Sequence, residues 1–317
     1  MKQTTFASLA FESKKKLTRR ERFLREMDQV VPWARLLKLI APHYPRAGNG
    51  RQPMPLETML RIYFLQQWFN LSDPAAEDAL YDSESMRRFA GIELGEDAVP
   101  DETTILNFRR LLERYRLTEA IFGAVRALLE EKRLLLKSGT LVDATIVSAP
   151  SSTKNETKTR DPEMTQTRKG NQWYFGMKVH IGADRRGIVH TVVTTTAKAA
   201  DLTELPRLLH GEESQVHGDR GYWSSEAAQW LRRRGIRSRL QKRAAPGHPL
   251  TEAARARNRR WSSVRAMVER PFLVIKRLWG FTKVRYRGLA KNTARVFALM
   301  ALANLYLVRR RLLPQGT

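Results

Sequence analysis

The chain has 317 residues, 42% of them hydrophobic, enough for one large domain or two ordinary ones with a real core. It contains no cysteine, which excludes disulfides, thiolate catalysis and a cysteine zinc site. Lys and Arg number 57 against 32 Asp and Glu, so the formal net charge is +25. A surplus of this size indicates a polyanionic partner, and nucleic acid is the usual one.

Neither end of the sequence indicates a membrane protein. The first residues, MKQTTFASLAFESKKK, lack the apolar segment of a signal peptide. The longest C-terminal apolar stretch, residues 296–308, contains Asn304 and is too short to span a bilayer. The basic charge is not gathered into one amphipathic helix, which disfavours binding to an acidic membrane surface. The sequence therefore predicts a cytoplasmic protein without a membrane partner.

The first half of the chain predicts helices only. Residues 1–16 are polar and basic and predict a mobile arm. Thr18, Ser72 and Asp101 are predicted helix caps. The helices are expected at 18–31, 33–40, 55–70, from 72 onward, 82–89, 101–115 and 117–136. Two interpretations of residues 17–137 stay open, a DNA-end-binding or dimerisation domain and a helical scaffold, and the charge favours the first.

The pattern changes at residue 138. Residues 140–147, TLVDATIV, predict a buried strand, and the polar residues 149–170 predict a long loop. Strands at 173–183 and 188–196 are joined by a predicted hairpin turn. Further elements are expected at 201–209 (helix), 215–218 (strand), 224–234 (helix), 237–241 (strand), 252–278 and 293–312 (helices). This order predicts a mixed α/β sheet flanked by helices, as in RNase H-like domains, over residues 138–290, followed by a C-terminal helix in 291–317.

Three carboxylates stand out in this half. Asp143 interrupts an apolar strand, and a buried carboxylate needs a cation, a metal or hydrogen-bond donors. Asp219 directly follows the predicted fourth strand, which neighbours the first strand in the RNase H-like order. Glu269 is the only acid between Arg255 and Arg311, a segment with sixteen Lys or Arg residues. We expect the three side chains to converge.

Converging carboxylates form an all-oxygen site suited to Mg²⁺, or to Mn²⁺ in its place. Two such ions roughly 3.5–4 Å apart stabilise the attacking and the leaving oxygen of a phosphoryl displacement. On a regular helix, Arg265, Glu269 and Lys276 share one face, where the two cations would grip phosphates. The simpler alternative is a common Arg–Glu pair on an amphipathic helix, with Asp219 as a turn former.

Other residues near these strands have both a functional and a structural interpretation. For Lys178, the functional interpretation is a contact with a DNA phosphate and the structural one is a solvent-exposed lysine on a strand. For Trp173, the functional interpretation is a contact with DNA and the structural one is an anchor for a loop. The histidines at 180, 190 and 217 follow no metal-binding spacing and are interpreted as structural or DNA-contacting. The residues that we expect at the DNA, besides Arg265 and Lys276, are Lys169, Trp173, Lys178, Arg220 and Tyr222.

Several segments of the chain resemble the DDE transposases of bacterial insertion sequences, specifically the insertion-sequence-five group with its insertion-sequence-four-like members. The segments are GTLVDATIVSAPSSTKN (139–155), RDPEMTQTRKGNQWYFGMKVHIG (160–182), GDRGY (218–222), RAMVERPFLVIKR (265–277) and, in the first half, GNGRQPMPLETMLRIYFLQQWFNLSD (48–73). The resemblance implies an RNase H-like catalytic domain whose DDE triad is Asp143, Asp219 and Glu269. Only 50 positions separate the last two, so the large β-domain inserted in some relatives is absent there.

The wider group has the signature Tyr, two residues, Arg, three residues, Glu, six residues, Lys. Arg265, Glu269 and Lys276 match it, whereas Ser262 stands at the tyrosine position. This departure leaves open which group makes the tyrosine's phosphate contact, and Trp261 and Ser262 are the candidates.

The resemblance implies a transposase that binds the terminal inverted repeats of its own element, cleaves there with Mg²⁺ and joins the 3′-hydroxyl ends to target DNA. Two ends must be held together, so a homodimer on double-stranded DNA is expected, associated with the nucleoid. The alternatives are an RNase H-like nuclease without strand transfer, a catalytically inactive, domesticated DNA-binding protein and a structural basic scaffold.

Overall fold

The computed structural model describes residues 13–49, 52–154, 158–244 and 247–313. They form two compact units, one that reaches Leu117 and includes the end of the chain from Val308, and one from Thr118 to Leu307. The first twelve residues of the predicted N-terminal arm lie outside the described residues. The predicted boundary at 137/138 lies one helix after the division between the units, and the role of each predicted domain stays a prediction.

The first unit is helical. The side chains of Thr18, Ser72 and Asp101 each accept the backbone N–H of the residue three positions on, which confirms the three predicted caps. The helices are α1 (Arg19–Val30), α2 (Trp33–Ile40), α3 (Leu56–Phe69), α4 (Asp73–Asp82), α5 (Glu84–Ala90) and α6 (Glu102–Arg114).

The aromatic stripe of α3 lies in the core of this unit. Tyr63, Phe64 and Trp68 are buried, and Phe69 is partly buried. The ring of Phe23 meets that of Trp68 edge to face, with 5.3 Å between the ring centroids. These rings therefore form part of the core of the helical unit.

The second unit is built on a six-stranded sheet. Its elements are α7 (Leu117–Glu131), β1 (Thr140–Ser148), β2 (Thr165–Lys169), β3 (Gln172–Ala183), β4 (Val189–Thr196), α8 (Asp201–Glu204), β5 (Gln215–Gly218), α9 (Ser225–Arg233), β6 (Arg237–Leu240), α10 (Glu252–Arg265), α11 (Glu269–Leu273) and α12 (Leu289–Leu312), which continues into the first unit. β1 pairs antiparallel with β3 and parallel with β5, and β5 pairs parallel with β6. β3 also pairs antiparallel with β2 and β4. This mixed sheet with flanking helices confirms the predicted α/β, RNase H-like class.

The predicted loop 149–170 is partly wrong, because its last residues form β2. The segment TQTRK is polar, so it lacks the apolar alternation that marks a half-buried strand, and it pairs with β3. Earlier in the loop, the carboxylates of Asp161 and Glu163 accept the backbone N–H groups of Gly288 and Leu289. They therefore cap the N-terminus of α12, where negative charge is favourable.

The helix α12 is fixed to the sheet by a polar contact. The side chain of Asn304 accepts the N–H of Val189 (2.8 Å) and donates to its carbonyl (2.7 Å). Asn304 is fully buried. The apolar stretch 296–308 thus belongs to a packed helix, and among the described residues no helix is long and apolar enough to cross a membrane.

We expect Asn304→Ala to lower the free energy of unfolding by about 2–4 kcal/mol, because it leaves a buried N–H and a buried carbonyl of β4 without partners. Urea unfolding measures the change. The control is Asn171→Ala in the exposed β2–β3 turn, for which less than about 0.5 kcal/mol is expected. Equal effects of the two variants would contradict this role of Asn304.

The histidines at 180, 190 and 217 are buried in the second unit, which favours their structural interpretation. The ring of His190 lies between the hydroxyls of Thr140 (3.1 Å) and Thr191 (2.9 Å). Burial lowers the pKa of His190 to about 3 and that of His180 to about 4. Both rings are therefore neutral in the folded protein at pH values where the unfolded chain already binds protons.

This difference predicts a loss of stability in mild acid. Above about pH 6.5 these two histidines do not lower the free energy of unfolding. As the pH decreases from about 6.5 towards 4, the free energy of unfolding falls by roughly 1.4 kcal/mol per pH unit for each ring. His190→Gln keeps a polar side chain but does not titrate, so we expect it to flatten the slope by about 1 kcal/mol per pH unit. Urea midpoints between pH 7 and 4.5 test this, and an unchanged slope would refute it.

Candidate active site

Asp143 lies on β1, and Asp219 directly follows β5, the parallel neighbour of β1. Leu141 is paired with His217, and Asp143 and Asp219 each lie two residues beyond this pair. The predicted neighbourhood of these two strands is therefore confirmed. The carboxylate of Asp219 accepts the backbone N–H of Gly221 (2.8 Å), which fixes its orientation just after β5.

Glu269 lies on a segment that is not one regular helix, so the prediction of a single helix over 252–278 is wrong. α10 ends at Arg265, a 3₁₀ turn covers Ala266–Val268, Glu269 begins the short α11, and a π-helical turn follows over Val274–Leu278. Pro271 has no N–H to donate to the carbonyl of Met267, which interrupts regular helical hydrogen bonding here. The 3.6-residue spacing that was used to align Lys276 with Glu269 therefore does not apply.

Arg265 links Glu269 to Asp143. One terminal nitrogen of its guanidinium lies 3.2 Å from Oδ2 of Asp143, and the other lies 3.1 Å from Oε1 of Glu269. The Asp143 side chain is 16% exposed and that of Glu269 is 60% exposed. The site thus has a buried carboxylate on the sheet and a solvent-facing one on the helical segment, joined by one cation.

The electrostatics of Asp143 also indicate that the three acids converge. The pKa of Asp143 is raised to about 6, mainly by burial, while Arg265 and the N–H of Ala144 act in the opposite direction. The charges of Asp219 and Glu269 contribute to this rise. Both other carboxylates are therefore close enough to act on Asp143, as mutual repulsion between acids in one site requires.

The carboxylate oxygens of this site are suitable ligands for a divalent cation, although the side chains are not close enough together to share one. Carboxylate oxygens are the ligands that Mg²⁺ and Mn²⁺ prefer. Within the described ranges, no three His, Cys, Asp or Glu side chains are close enough together to hold a metal ion. At this site, Arg265 lies between Asp143 and Glu269.

Comparisons with known families match both halves of the chain. Residues 135–305, more than half of the chain, match the transposase DDE domain, and residues 11–111 match a transposase domain (DUF772). The chain belongs to the DDE transposases. It is an enzyme that acts on DNA, and divalent metal ions are general in this family. No solved structure matches the chain significantly.

Within this transposase, Lys276 lies further along the sheet than expected. Its ammonium donates to the carbonyl of Ile146 (2.6 Å), three residues after Asp143 on β1. Burial lowers the pKa of Lys276, and the charge of nearby Lys169 lowers it further. Two lysines therefore lie close together beyond the carboxylates.

The other residues that were expected at the DNA differ in their exposure. Lys169, Trp173 and Arg220 are exposed, Trp173 to 65%. Tyr222 is only 1% exposed and belongs to the apolar core beneath the site. Its predicted DNA contact is therefore not available in this arrangement. Lys178 is partly buried, and its ammonium donates to Asp201 (2.9 Å) and to the carbonyl of Ala199 (2.6 Å).

Asp201 is a fourth carboxylate near the site, which sequence reasoning missed. A Cβ placed on Gly221 would lie 3.0 Å from Oδ1 of Asp219 and 3.3 Å from Oδ2 of Asp201, so both acids flank this glycine. The only sequence signal was an acid at the start of a short helix, which is the usual place for one. Its pairing with Lys178 explains why that lysine does not face solvent.

Ser262, at the tyrosine position of the signature, has a partner within the protein. Its hydroxyl accepts a hydrogen bond from the side-chain amide of Gln241 (2.6 Å). Trp261, the other candidate, lies near the guanidinium groups of Arg239 and Arg257, 5.7 Å and 5.4 Å from its ring centroid. The serine therefore joins α10 to the end of β6.

Proposed function

We propose that this DDE transposase belongs to the insertion-sequence-five group, in its insertion-sequence-four-like part, and moves an insertion sequence. It binds the terminal inverted repeats of the element, cleaves at the element ends and joins the 3′-hydroxyls to target DNA. The main support is the arrangement of the carboxylates inside the matched DDE domain. Asp143 lies on β1, Asp219 directly follows the parallel neighbour β5, and Arg265 connects Asp143 to Glu269.

In this proposal, Asp143, Asp219 and Glu269 are the catalytic carboxylates and hold two Mg²⁺ ions, for which Mn²⁺ can substitute. Bound ions would activate the attacking hydroxyl or water and stabilise the departing 3′-oxygen. The protein contributes orientation. β1 fixes Asp143, the N–H of Gly221 fixes Asp219, and the solvent-facing Glu269 completes the site.

The proposed DNA path follows the basic side chains around the carboxylates, of which Arg265 and Lys276 are partly buried. Arg265 and Lys276 bind phosphates near the scissile bond, and Lys169, Trp173 and Arg220 bind the flanking duplex. Lys178 and Tyr222 support the site from within the fold, because the first is paired with Asp201 and the second is in the core.

The proposed organisation assigns a task to each part of the chain. Residues 17–137 bind the element end or dimerise, residues 138–290 perform the chemistry, and the C-terminal helix supports them. Because two ends are joined to one target, the active form is proposed to be a homodimer on double-stranded DNA.

A strand-transfer assay separates this function from its alternatives. The substrate is a duplex with the terminal sequence that flanks the coding region, supplied with the 3′-end already cut, plus a supercoiled target plasmid and Mg²⁺. Joined product supports the transposase. Cutting of uncut ends without joining of pre-cut ends would favour a nuclease, and specific binding without either reaction would favour an inactive DNA-binding protein.

A further inference from the structure

Arg265 occupies the space between two of the proposed catalytic carboxylates. Its guanidinium lies 3.2 Å from Oδ2 of Asp143 and 3.1 Å from Oε1 of Glu269, so both terminal nitrogens are engaged. The side chain is 19% exposed. Its Nε atom is buried without a hydrogen-bond partner. The guanidinium is therefore held by its two terminal nitrogens and not by Nε.

This position matters because a guanidinium and a divalent cation compete for the same oxygens. A planar guanidinium satisfies carboxylate oxygens with charge-assisted hydrogen bonds, and it stays protonated at any ordinary pH. A metal ion that entered between Asp143 and Glu269 would meet a positive charge in a partly buried place, where repulsion is weakly screened. Arg265 must therefore leave before both carboxylates can share an ion.

We propose that Arg265 keeps the metal site closed in the DNA-free protein and opens it by moving to a DNA phosphate. This inference rests on the proposed function, since it takes Asp143 and Glu269 as metal ligands. A phosphate offers the guanidinium the same bidentate geometry as a carboxylate. When the scissile phosphate takes Arg265, the two carboxylates are released for the cation.

Two features of the site favour this exchange. Glu269 is 60% exposed, so water can solvate its carboxylate as soon as the arginine leaves. The unpartnered Nε of Arg265 loses no hydrogen bond when the side chain moves. Tight metal binding, and with it hydrolytic activity, is thereby restricted to protein that already holds DNA.

The test is Mn²⁺ binding to the full chain without DNA, measured by electron paramagnetic resonance of the free ion. We expect Arg265→Gln to bind Mn²⁺ at least about tenfold more tightly than wild type, equivalent to about 1.4 kcal/mol. The matched control is Arg259→Gln, which removes an exposed arginine from the same helix and should leave the affinity unchanged. Arg265→Lys retains the charge but cannot bridge two carboxylates as a planar fork does, so an intermediate affinity is expected.

The thermal unfolding midpoint of each variant shows whether it is folded. If Arg265→Gln does not fold, Arg265→Lys is compared with wild type instead. Arg265→Gln combined with Glu269→Gln should lose the gain in affinity, which assigns the gain to this site. Addition of the element-end duplex to wild type should tighten Mn²⁺ binding to within a few-fold of the DNA-free Arg265→Gln variant.

The outcomes separate this inference from the proposed function. Equal DNA-free affinities of folded wild type and folded arginine variants would overturn the closed-site inference, whether the common affinity is strong or undetectable. The proposed metal site would nevertheless stand if Mn²⁺ binds with DNA present and Glu269→Gln abolishes that binding. Loss of both results would overturn the inference and the proposed metal site together.

Discussion

Asp143→Asn should abolish cleavage at the element end, with a loss of at least about 10³-fold, while the protein stays folded. The reason for the catalytic loss is that the proposed metal ions supply several kcal/mol of transition-state stabilisation, and each 1.36 kcal/mol corresponds to a factor of ten in rate. An amide cannot replace the negative charge that holds them. Single-turnover cleavage of a labelled end duplex with Mg²⁺ measures the effect.

The same substitution should cost little stability. Burial raises the pKa of Asp143 to about 6, so its charge is held in an unfavourable environment, and asparagine has the same shape without that charge. Arg265 keeps its pairing with Glu269 in the variant. We expect the free energy of unfolding to change by less than about 1 kcal/mol. Glu212→Gln, an exposed carboxylate, is the control and should retain activity. Retained cleavage in Asp143→Asn would refute its catalytic role.

The second large effect is expected at Gly187, in the turn between β3 and β4. Its φ is +82°, and a Cβ there would lie 2.4 Å from the carbonyl oxygen of Met267, two residues before Glu269. Arg270 also donates to the carbonyl of Arg186 in this turn (3.2 Å). The turn therefore supports the helical segment that presents Glu269, and alanine at position 187 forces that segment away from the sheet.

Gly187→Ala should lower cleavage by about 10- to 100-fold, because displacement of a catalytic group by about 1 Å has effects of this order. Gly235→Ala is a matched control. That glycine also has a positive φ, +71°, but open space around it, so the variant has the backbone strain without the clash. We expect Gly235→Ala to lose about 1–2 kcal/mol of stability from the backbone strain alone, Gly187→Ala to lose more because of the added clash, and only Gly187→Ala to lose most of its activity. Equal activities in two folded variants would contradict the supporting role.

Local signals in the sequence predict much of this fold. The β-branched segment around Asp143 predicts β1, and the side chains of Thr18, Ser72 and Asp101 predict helix starts because capping acts within three residues. β2 escapes prediction because its residues are polar and it pairs with β3 at the edge of the sheet order. The irregular segment around Glu269 escapes because helical periodicity continues through 3₁₀ and π turns.

The sequence predicts only those contacts of the candidate site that follow from the strand order or from residues close together in the sequence. The pair Arg265–Glu269 follows from helical spacing, and the proximity of Asp143 and Asp219 follows from the strand order. The contact between Arg265 and Asp143 joins residues 122 positions apart, so only the packing of the helical segment on the sheet reveals it. The pairing of Asp201 with Lys178 is likewise a tertiary contact between β3 and α8.

The most direct test of the proposed function is cleavage of a labelled element-end duplex with Mg²⁺ by wild type and by Glu269→Gln. The substitution removes one negative charge from a solvent-facing side chain, so binding of the duplex should remain within about twofold. The proposal predicts that wild type cuts at the element boundary, whereas the variant binds the same duplex without cutting it. Cleavage by Glu269→Gln at the wild-type rate would contradict the assignment of Asp143, Asp219 and Glu269 as the catalytic carboxylates.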